Sequence, residues 1–271
     1  MICDLCPHSC DIKEGNLGFC KARRNVDNKI LCDNYGKITA IAIDPIEKKP
    51  LKRFYPGTSI LSVGSYGCNM RCAYCQNYRI SMSRDIESFF MKPEELVNTA
   101  LDMKKHGNIG IAFTYNEPLI GYEYVYDTSI LAKDKGLKIV LVTNGMINEK
   151  PLEKLLKYVD ALNIDLKGFD PEYYKSLGGN LSTVKNTISL ANHYCHIELS
   201  ALIIPGENDG MGNMEEMSYW ISTVDRNIPL HINRFFPCYK YLQAKPTPVE
   251  TLLKLKNIAN NHLKYVYTGN Y

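Results

Sequence analysis

From residue 59 onward the chain alternates between two patterns of apolar positions. Short, mainly apolar runs at 60–63, 109–113, 139–142, 161–164, 197–204 and 230–232 read as buried strands. Between them lie longer stretches with apolar residues at helical spacing, roughly 93–105, 119–135, 149–158, 183–193, 214–223 and 249–260. Such alternation predicts an α/β fold, a parallel sheet covered by helices. Six units are too few for a closed eight-fold barrel, and a doubly wound sheet fits the alternation equally well. The polar residues separate the two. Gly67-Cys68-Asn69, Thr114-Tyr115-Asn116-Glu117, Thr143-Asn144-Gly145, Asp165-Leu166-Lys167-Gly168 and Pro205-Gly206-Glu207-Asn208 each follow a strand. That gathers them at the C-terminal edge of the sheet, the functional face of a barrel. The expectation is a partial, TIM-like (β/α)6 barrel over residues 58–271. A cysteine-rich extension over residues 1–57 precedes it, with two strand-like runs at 29–32 and 37–43.

Composition narrows the class. With 271 residues, 45% of them hydrophobic, the chain can bury one large core or a core with a small appendage. A formal net charge of +3 argues against a nucleic-acid partner. No apolar run is long enough to span a bilayer and no signal pattern opens the chain, so a soluble, cytoplasmic protein is expected. Ten cysteines change the picture most. Cys3, Cys6, Cys10 and Cys20 crowd the start, and Cys68, Cys72 and Cys75 form a second knot, a spacing that suits metal ligands rather than a disulfide framework. Cys32 and Cys195 read as small buried hydrophobes.

Gly67-Cys68-Asn69-Met70-Arg71-Cys72-Ala73-Tyr74-Cys75-Gln76-Asn77 is the most informative stretch. Three cysteines spaced by three and two residues can wrap three irons of a cubane. A fully ligated cluster takes four thiolates, so three leave one iron open, as a metal that acts on a bound molecule requires. The alternative is a structural zinc loop completed by a distant cysteine. The stretch resembles the cluster loop of radical S-adenosylmethionine (SAM) enzymes. Its fuller form is similar to the pyruvate formate-lyase activating-enzyme branch, and closer still to the radical SAM member of the AmmeMemoRadiSam system. That resemblance extends to Cys6-Pro7-His8, to residues 44–51 (Asp-Pro-Ile-Glu-Lys-Lys-Pro-Leu), to residues 114–118 and to residues 265–270. It implies a 4Fe–4S cluster on Cys68, Cys72 and Cys75 that reductively cleaves SAM, and a 5′-deoxyadenosyl radical that abstracts hydrogen from a substrate. It also implies an electron donor such as flavodoxin or ferredoxin.

The resemblance assigns further residues to the cofactor. Glu117 takes the place of the glutamate that binds the methionyl amino group, with Asn116 adding an amide oxygen, although Tyr115 and Asn116 stand where the superfamily has glycines. The same residues also suit a helix start, Asn116 as cap and Glu117 in the first turn. Thr143 and Asn144 are implied contacts of the carboxylate or ribose, or else simply an Asn-Gly turn. Asp165 and Lys167 are implied to hold ribose, a cation or a carboxylate, or else form a structural ion pair. Ile204 is implied to pack on adenine, and Tyr74 to support it or fill core. The N-terminal cysteines offer four thiolates to a zinc ion or an auxiliary cluster, with His8 able to replace one. Cys238 follows the last strand and is either a hydrogen-atom donor to a substrate radical or a thiol without a role. Three functions compete: a radical enzyme acting on a protein or peptide, one acting on a small molecule, and a non-catalytic iron–sulfur or zinc interaction module.

Overall fold

The computed structural model describes residues 1–270. The N-terminal part contains β1 (Arg23–Val26), β2 (Lys29–Cys32), β3 (Lys37–Ile38) and β4 (Ala40–Pro45). The repeating part begins with β5 (Ser59–Gly64), α1 (Tyr78–Met82), β6 (Phe89–Phe90), α2 (Pro93–Asp102) and β7 (Asn108–Phe113). It continues with α3 (Tyr122–Asp134), β8 (Lys138–Thr143), α4 (Glu149–Leu156), β9 (Ala161–Asp165), α5 (Pro171–Ser176) and α6 (Leu181–Ala191). Then come β10 (His196–Ile203), α7 (Met211–Asp225), β11 (Leu230–Arg234), α8 (Val249–Ala259) and β12 (Val266–Gly269). The main sheet has eight strands in the order β12-β11-β10-β9-β8-β7-β5-β4. Its neighbours are parallel from β5 to β12, and only β4 runs antiparallel, against β5. This is the partial barrel of the sequence reading, with seven parallel strands where six were expected.

Local chemistry places the helices. Pro93 opens α2, and the Glu95 carboxylate accepts from Lys92 N–H at 2.7 Å. Asp170 and Asn180 cap α5 and α6, accepting from Tyr173 N–H at 2.8 Å and Thr183 N–H at 2.9 Å. The apolar faces of α2, α4 and α6 bury Leu96, Leu155 and Ile188 against the sheet. Fully burying each such side chain stabilises the fold by about 1.5–3 kcal/mol.

The division expected at residue 57 does not follow the sheet. The run at 37–43 splits at Thr39, and its second half becomes β4, an edge strand of the barrel. Residues 46–57 then cross the base of the barrel as a strap. Ile46, Leu51 and Phe54 pack there with Ile60, Ala112, Val140 and Ala161. The strap is pinned by Glu198, whose carboxylate accepts from Lys52 N–H at 3.1 Å and Arg53 N–H at 2.7 Å. His231 and His196 donate to the same carboxylate at 2.6 and 3.0 Å. Burial works against the charge of Glu198, but these four donors hold its pKa down at about 2.

Candidate active site

A cavity of about 610 Å³ opens at the C-terminal ends of the parallel strands. Cys68, Cys72 and Cys75 all line it. Their loop leaves β5 through Gly67, at φ +87°, where an added Cβ would stand 2.5 Å from the Cys20 carbonyl oxygen. Only glycine accepts both that torsion and that approach. The loop is then tied on every side. Cys68 N–H donates to Cys20 O at 3.2 Å and Arg71 N–H to Leu177 O at 2.7 Å. The Arg71 guanidinium donates to Cys68 O and Met70 O at 2.7 and 2.8 Å and to Phe19 O. Asn69 donates to Met146 O at 2.6 Å and accepts from the Asn144 amide at 2.9 Å. Burial pushes all three thiols above their ordinary pKa. Near Cys72 the Lys167 ammonium opposes that rise. A bound iron must therefore displace protons, as metal sites built from buried thiols require.

Glu117 stands beside the start of this loop, its N–H donating to Gly67 O at 3.4 Å, and is 3% exposed. Its Oε1 accepts from Leu119 N–H at 3.0 Å and Thr143 Oγ–H at 2.7 Å, and its Oε2 from Asn144 N–H at 2.8 Å. Those are three of about four acceptor positions on a carboxylate. Complete burial nonetheless drives its pKa up to about 7, because no cation lies beside it among the described residues. An amino group of a bound molecule would supply both the fourth donor and the missing positive partner. A helical start does lie here, but one residue later than expected: Glu117, not Asn116, is the cap, its bond to Leu119 N–H closing a short 3₁₀ turn at Pro118–Gly121. The two roles coexist.

The neighbouring predicted residues divide. Thr143, Asn144, Asp165, Lys167 and Tyr74 line the cavity. Lys167 pairs with Asp165 at 3.0 Å. Burial disfavours its charge, but the Asp165 carboxylate and the Cys72 thiol hold its pKa well above the ordinary value. Tyr74 accepts from Tyr173 O–H at 3.0 Å. Asn116 lines the cavity too, but its amide is already engaged. It donates to Tyr66 O and Gly67 O at 3.1 Å and accepts from Ser65 N–H at 2.9 Å. It locks the turn, and its Oδ1 keeps one of its two lone pairs for a ligand. Tyr115 takes φ +72° where the superfamily pattern has glycine. Its ring lies over Gly64, where a Cβ would be 2.8 Å away, and its hydroxyl donates to Asp44 at 2.9 Å.

Ile204 and Cys238 are not among the cavity-lining residues. Ile204 is fully buried in the core, and Leu202 faces the cavity in its place. The Cys238 thiol donates to Tyr74 O at 3.0 Å, inside the cluster loop between Cys72 and Cys75. Residues the sequence reading passed over also line the cavity: Ser200, His231, Asn233, Lys48 and Lys52. Ser200 is 4% exposed, and its hydroxyl has no partner among the described residues. Such a buried orphan is what a ligand hydroxyl would satisfy. The signal was period-two polarity, Glu198-Ser200 and His231-Asn233, inside otherwise apolar strands.

The N-terminal cysteines converge separately. Cys3, Cys6, Cys10 and Cys20 line one small pocket with His8 and Phe19. His8 Nε2–H donates to Asn69 O at 2.8 Å, which leaves its Nδ1 as the ring atom able to replace a thiolate. Among the described residues, no three His, Cys, Asp or Glu side chains stand together as ligands of a single metal ion do. Ligation of one ion here requires the thiols to draw closer together. A cubane asks less, since each thiolate binds its own iron.

Three thiols, a buried carboxylate lacking its cation and an orphan hydroxyl at the mouth of a partial barrel describe an enzyme that binds a metal cluster together with a polar cofactor. Residues 62–217 match the Radical SAM superfamily, and the chain belongs to that superfamily. Membership implies a 4Fe–4S cluster and SAM. The chain is 42% identical to an uncharacterized protein of Methanocaldococcus jannaschii over 99% of its own length and 80% of that protein's. A putative glycyl-radical enzyme activating enzyme of the same organism is 27% identical, over 74% of this chain and 77% of its own. Among solved structures, a radical SAM methyltransferase from Sphaerobacter thermophilus superposes with a TM-score of 0.59 at 17% identity. That match covers 80% of this chain and 67% of the other, and it shows the shared fold. No helix among the described residues is long and apolar enough to cross a membrane.

Proposed function

We propose that this chain is an activating-enzyme-like radical SAM enzyme that abstracts hydrogen from a protein or peptide. The cluster, when bound, supplies the electron that cleaves SAM to methionine and a 5′-deoxyadenosyl radical. The protein's own residues do the rest. Cys68, Cys72 and Cys75 would hold the cluster through their three thiolates. Glu117, charged by the arrival of an amino group, fixes the methionyl end, with Thr143 and Asn144 holding the carboxylate in place. Asp165 and Ser200 accept and donate to the ribose hydroxyls, Lys167 balances the negative charge around Cys72, and Leu202 and Tyr74 exclude water from the base.

The observation that carries this reading is Glu117, a buried carboxylate without a cation, sharing one cavity with three thiols. A protein or peptide substrate is favoured because β4 and β12, the two edges of the sheet, do not pair. That leaves a gap between the edges for a chain segment, crossed at the base by Lys52 and Arg53, whose cations lie over the rings of Tyr267 and Tyr265. A small-molecule substrate is the alternative, since about 610 Å³ lies within the range of small-ligand sites. The motifs at residues 6–8, 44–51 and 265–270 support an AmmeMemoRadiSam-type branch. The electron comes from a flavodoxin or ferredoxin in a reducing cytosol. The N-terminal knot holds zinc or an auxiliary cluster that orders residues 1–25. Anaerobically reconstituted protein with a strong reductant is expected to convert SAM slowly to 5′-deoxyadenosine. The variant with alanine at Cys68, Cys72 and Cys75 is expected to bind no catalytic cluster and form none. Cofactor cleavage by that variant would refute the proposal.

A further inference from the structure

Two stretches of this chain carry no carboxylate. Residues 48–84 hold seven lysines and arginines and residues 226–249 hold four, with no Asp or Glu in either, although the net charge of the whole chain is only +3. The fold lays the second stretch over the first. Lys240 N–H donates to Ala73 O at 3.0 Å. The rings of Tyr78 and Tyr239 stack at 4.4 Å with planes 14° apart. Tyr239 adopts φ +51°, a torsion uncommon outside glycine, to present its ring this way. The Arg79 guanidinium lies 6.0 Å from the centre of the Tyr78 ring, and the Lys240 ammonium 5.5 Å from that of Tyr239. Both cations are exposed, and neither joins an ion pair among the described residues. Beside the ledge, Glu207 accepts from Tyr241 O–H at 2.5 Å and Asp85 pairs with Arg84 at 3.8 Å, whereas Lys48 and Lys49, at the other end of the first stretch, are paired with Asp44. The ledge backs directly onto the cluster loop, since Tyr78 N–H donates to Cys75 O at 3.3 Å.

We propose that this aromatic ledge, flanked by Arg79 and Lys240, is the docking surface for an acidic electron-transfer protein. The inference rests on the radical SAM reading above. The partner is one that carries a reduced flavin or iron–sulfur centre. It loses one electron, the cluster beside Cys75 gains it, and no proton or bond changes hands. Unpaired cations steer an acidic protein to the ledge, and a stacked tyrosine pair gives it a flat, desolvating contact. An anionic substrate bound in the cavity would need neither, because Arg79, Lys240, Tyr78 and Tyr239 do not line it.

The test uses full-length protein with purified flavodoxin, an acidic flavin protein. Binding of the oxidised flavodoxin, read from flavin fluorescence anisotropy, is expected to weaken as salt rises. The Arg79→Glu/Lys240→Glu variant is expected to lose about tenfold or more in affinity at low salt, and Arg79→Lys/Lys240→Arg to retain it. With reconstituted protein, flavodoxin-driven 5′-deoxyadenosine formation is expected to fall in the charge-reversed variant while dithionite-driven formation stays at the wild-type rate. Affinity and flavodoxin-driven rate unmoved by charge reversal would overturn the ledge as a docking site, as an acidic substrate protein using the same surface would show. A parallel loss of dithionite-driven turnover would assign the two cations to the active site instead. No product with dithionite in the wild type would overturn the enzyme reading, and the ledge's role with it.

Discussion

Substituting Glu117 by glutamine separates its two roles by magnitude. Ionised, the buried carboxylate costs the folded chain about 3 kcal/mol, because its pKa rises from the ordinary 4.5 to about 7. Glutamine removes that cost. It also places an amide NH₂ against one of the three donors that now converge on the carboxylate, Leu119 N–H, Asn144 N–H or Thr143 O–H. One buried donor left unsatisfied costs about 1–3 kcal/mol. The two terms oppose each other, so at pH 8 the melting temperature without cofactor is expected to change by only a few degrees. SAM affinity behaves differently. The charge-assisted bond to the amino group disappears with nothing to offset it, a loss of about 1–3 kcal/mol, or roughly 5- to 150-fold in Kd. The assay is a pair of anaerobic measurements on reconstituted protein, thermal unfolding without SAM and equilibrium binding of SAM. A variant that unfolds much earlier yet binds SAM with wild-type affinity would reduce Glu117 to a cap of the Pro118 turn and remove the main support for the proposed function.

Glu198→Gln is expected to destabilise by about 2–4 kcal/mol, because at least one strap amide, Lys52 or Arg53, loses its acceptor in a buried network. In thermal unfolding that is a fall of about 5–15 °C. A depressed carboxylate stabilises the fold above its unfolded pKa, and that contribution is lost as pH falls through the folded one. Wild-type stability should therefore drop between about pH 4.5 and pH 2, more steeply than that of the glutamine variant, as denaturant titrations would show. Gly67→Ala is expected to cost about 2–4 kcal/mol and to lower iron content on reconstitution, because the added methyl meets the Cys20 carbonyl at 2.5 Å. Wild-type iron loading in that variant would show the cluster loop to be more pliant than its hydrogen bonds suggest. Serine at both Cys6 and Cys10 is expected to leave residues 1–25 open to protease while the barrel stays folded. Metal analysis of the wild type is expected to give one zinc beside about four irons, or about eight irons. Four irons without zinc would show the knot to hold free thiols.

The strands that a periodicity argument finds here are those covered along most of their length. β7, β8 and β9 sit inside the parallel sheet and read as mainly apolar runs. β12 escaped notice because Val266-Tyr267-Thr268-Gly269 is short and buries only its first residue fully. The β1–β2 hairpin carried a local signal, since Asp27 and Asn28 both take positive φ, at +52° and +55°, as a two-residue turn of this kind demands. The cluster loop and Glu117 were legible because their chemistry lies in consecutive residues. The structural bonds of Asn116 were not legible, for the opposite reason. Which of its amide atoms are already spent depends on Ser65, Tyr66 and Gly67, and no spacing reveals that.

The part of the chain that looked most like an appendage is joined to the site at both ends. The cysteine knot reaches the cluster loop through Cys20 O, which accepts from Cys68 N–H, and through His8, which donates to Asn69. The strap reaches the cavity from below. Lys49 lies 2.8 Å from Asp44, which also accepts from Tyr115, and Lys48 and Lys52 form part of the cavity wall. Each contact joins residues far apart in sequence, 146 positions in the case of Lys52 and Glu198. Composition shows such a segment only as polar and glycine-rich. A barrel with seven parallel strands and two unpaired edges needs something to close its base and brace its cluster loop, and the first 57 residues supply both. Removing them should therefore destabilise the cluster loop as well as the base, so the barrel is not expected to fold as an independent unit from residue 58.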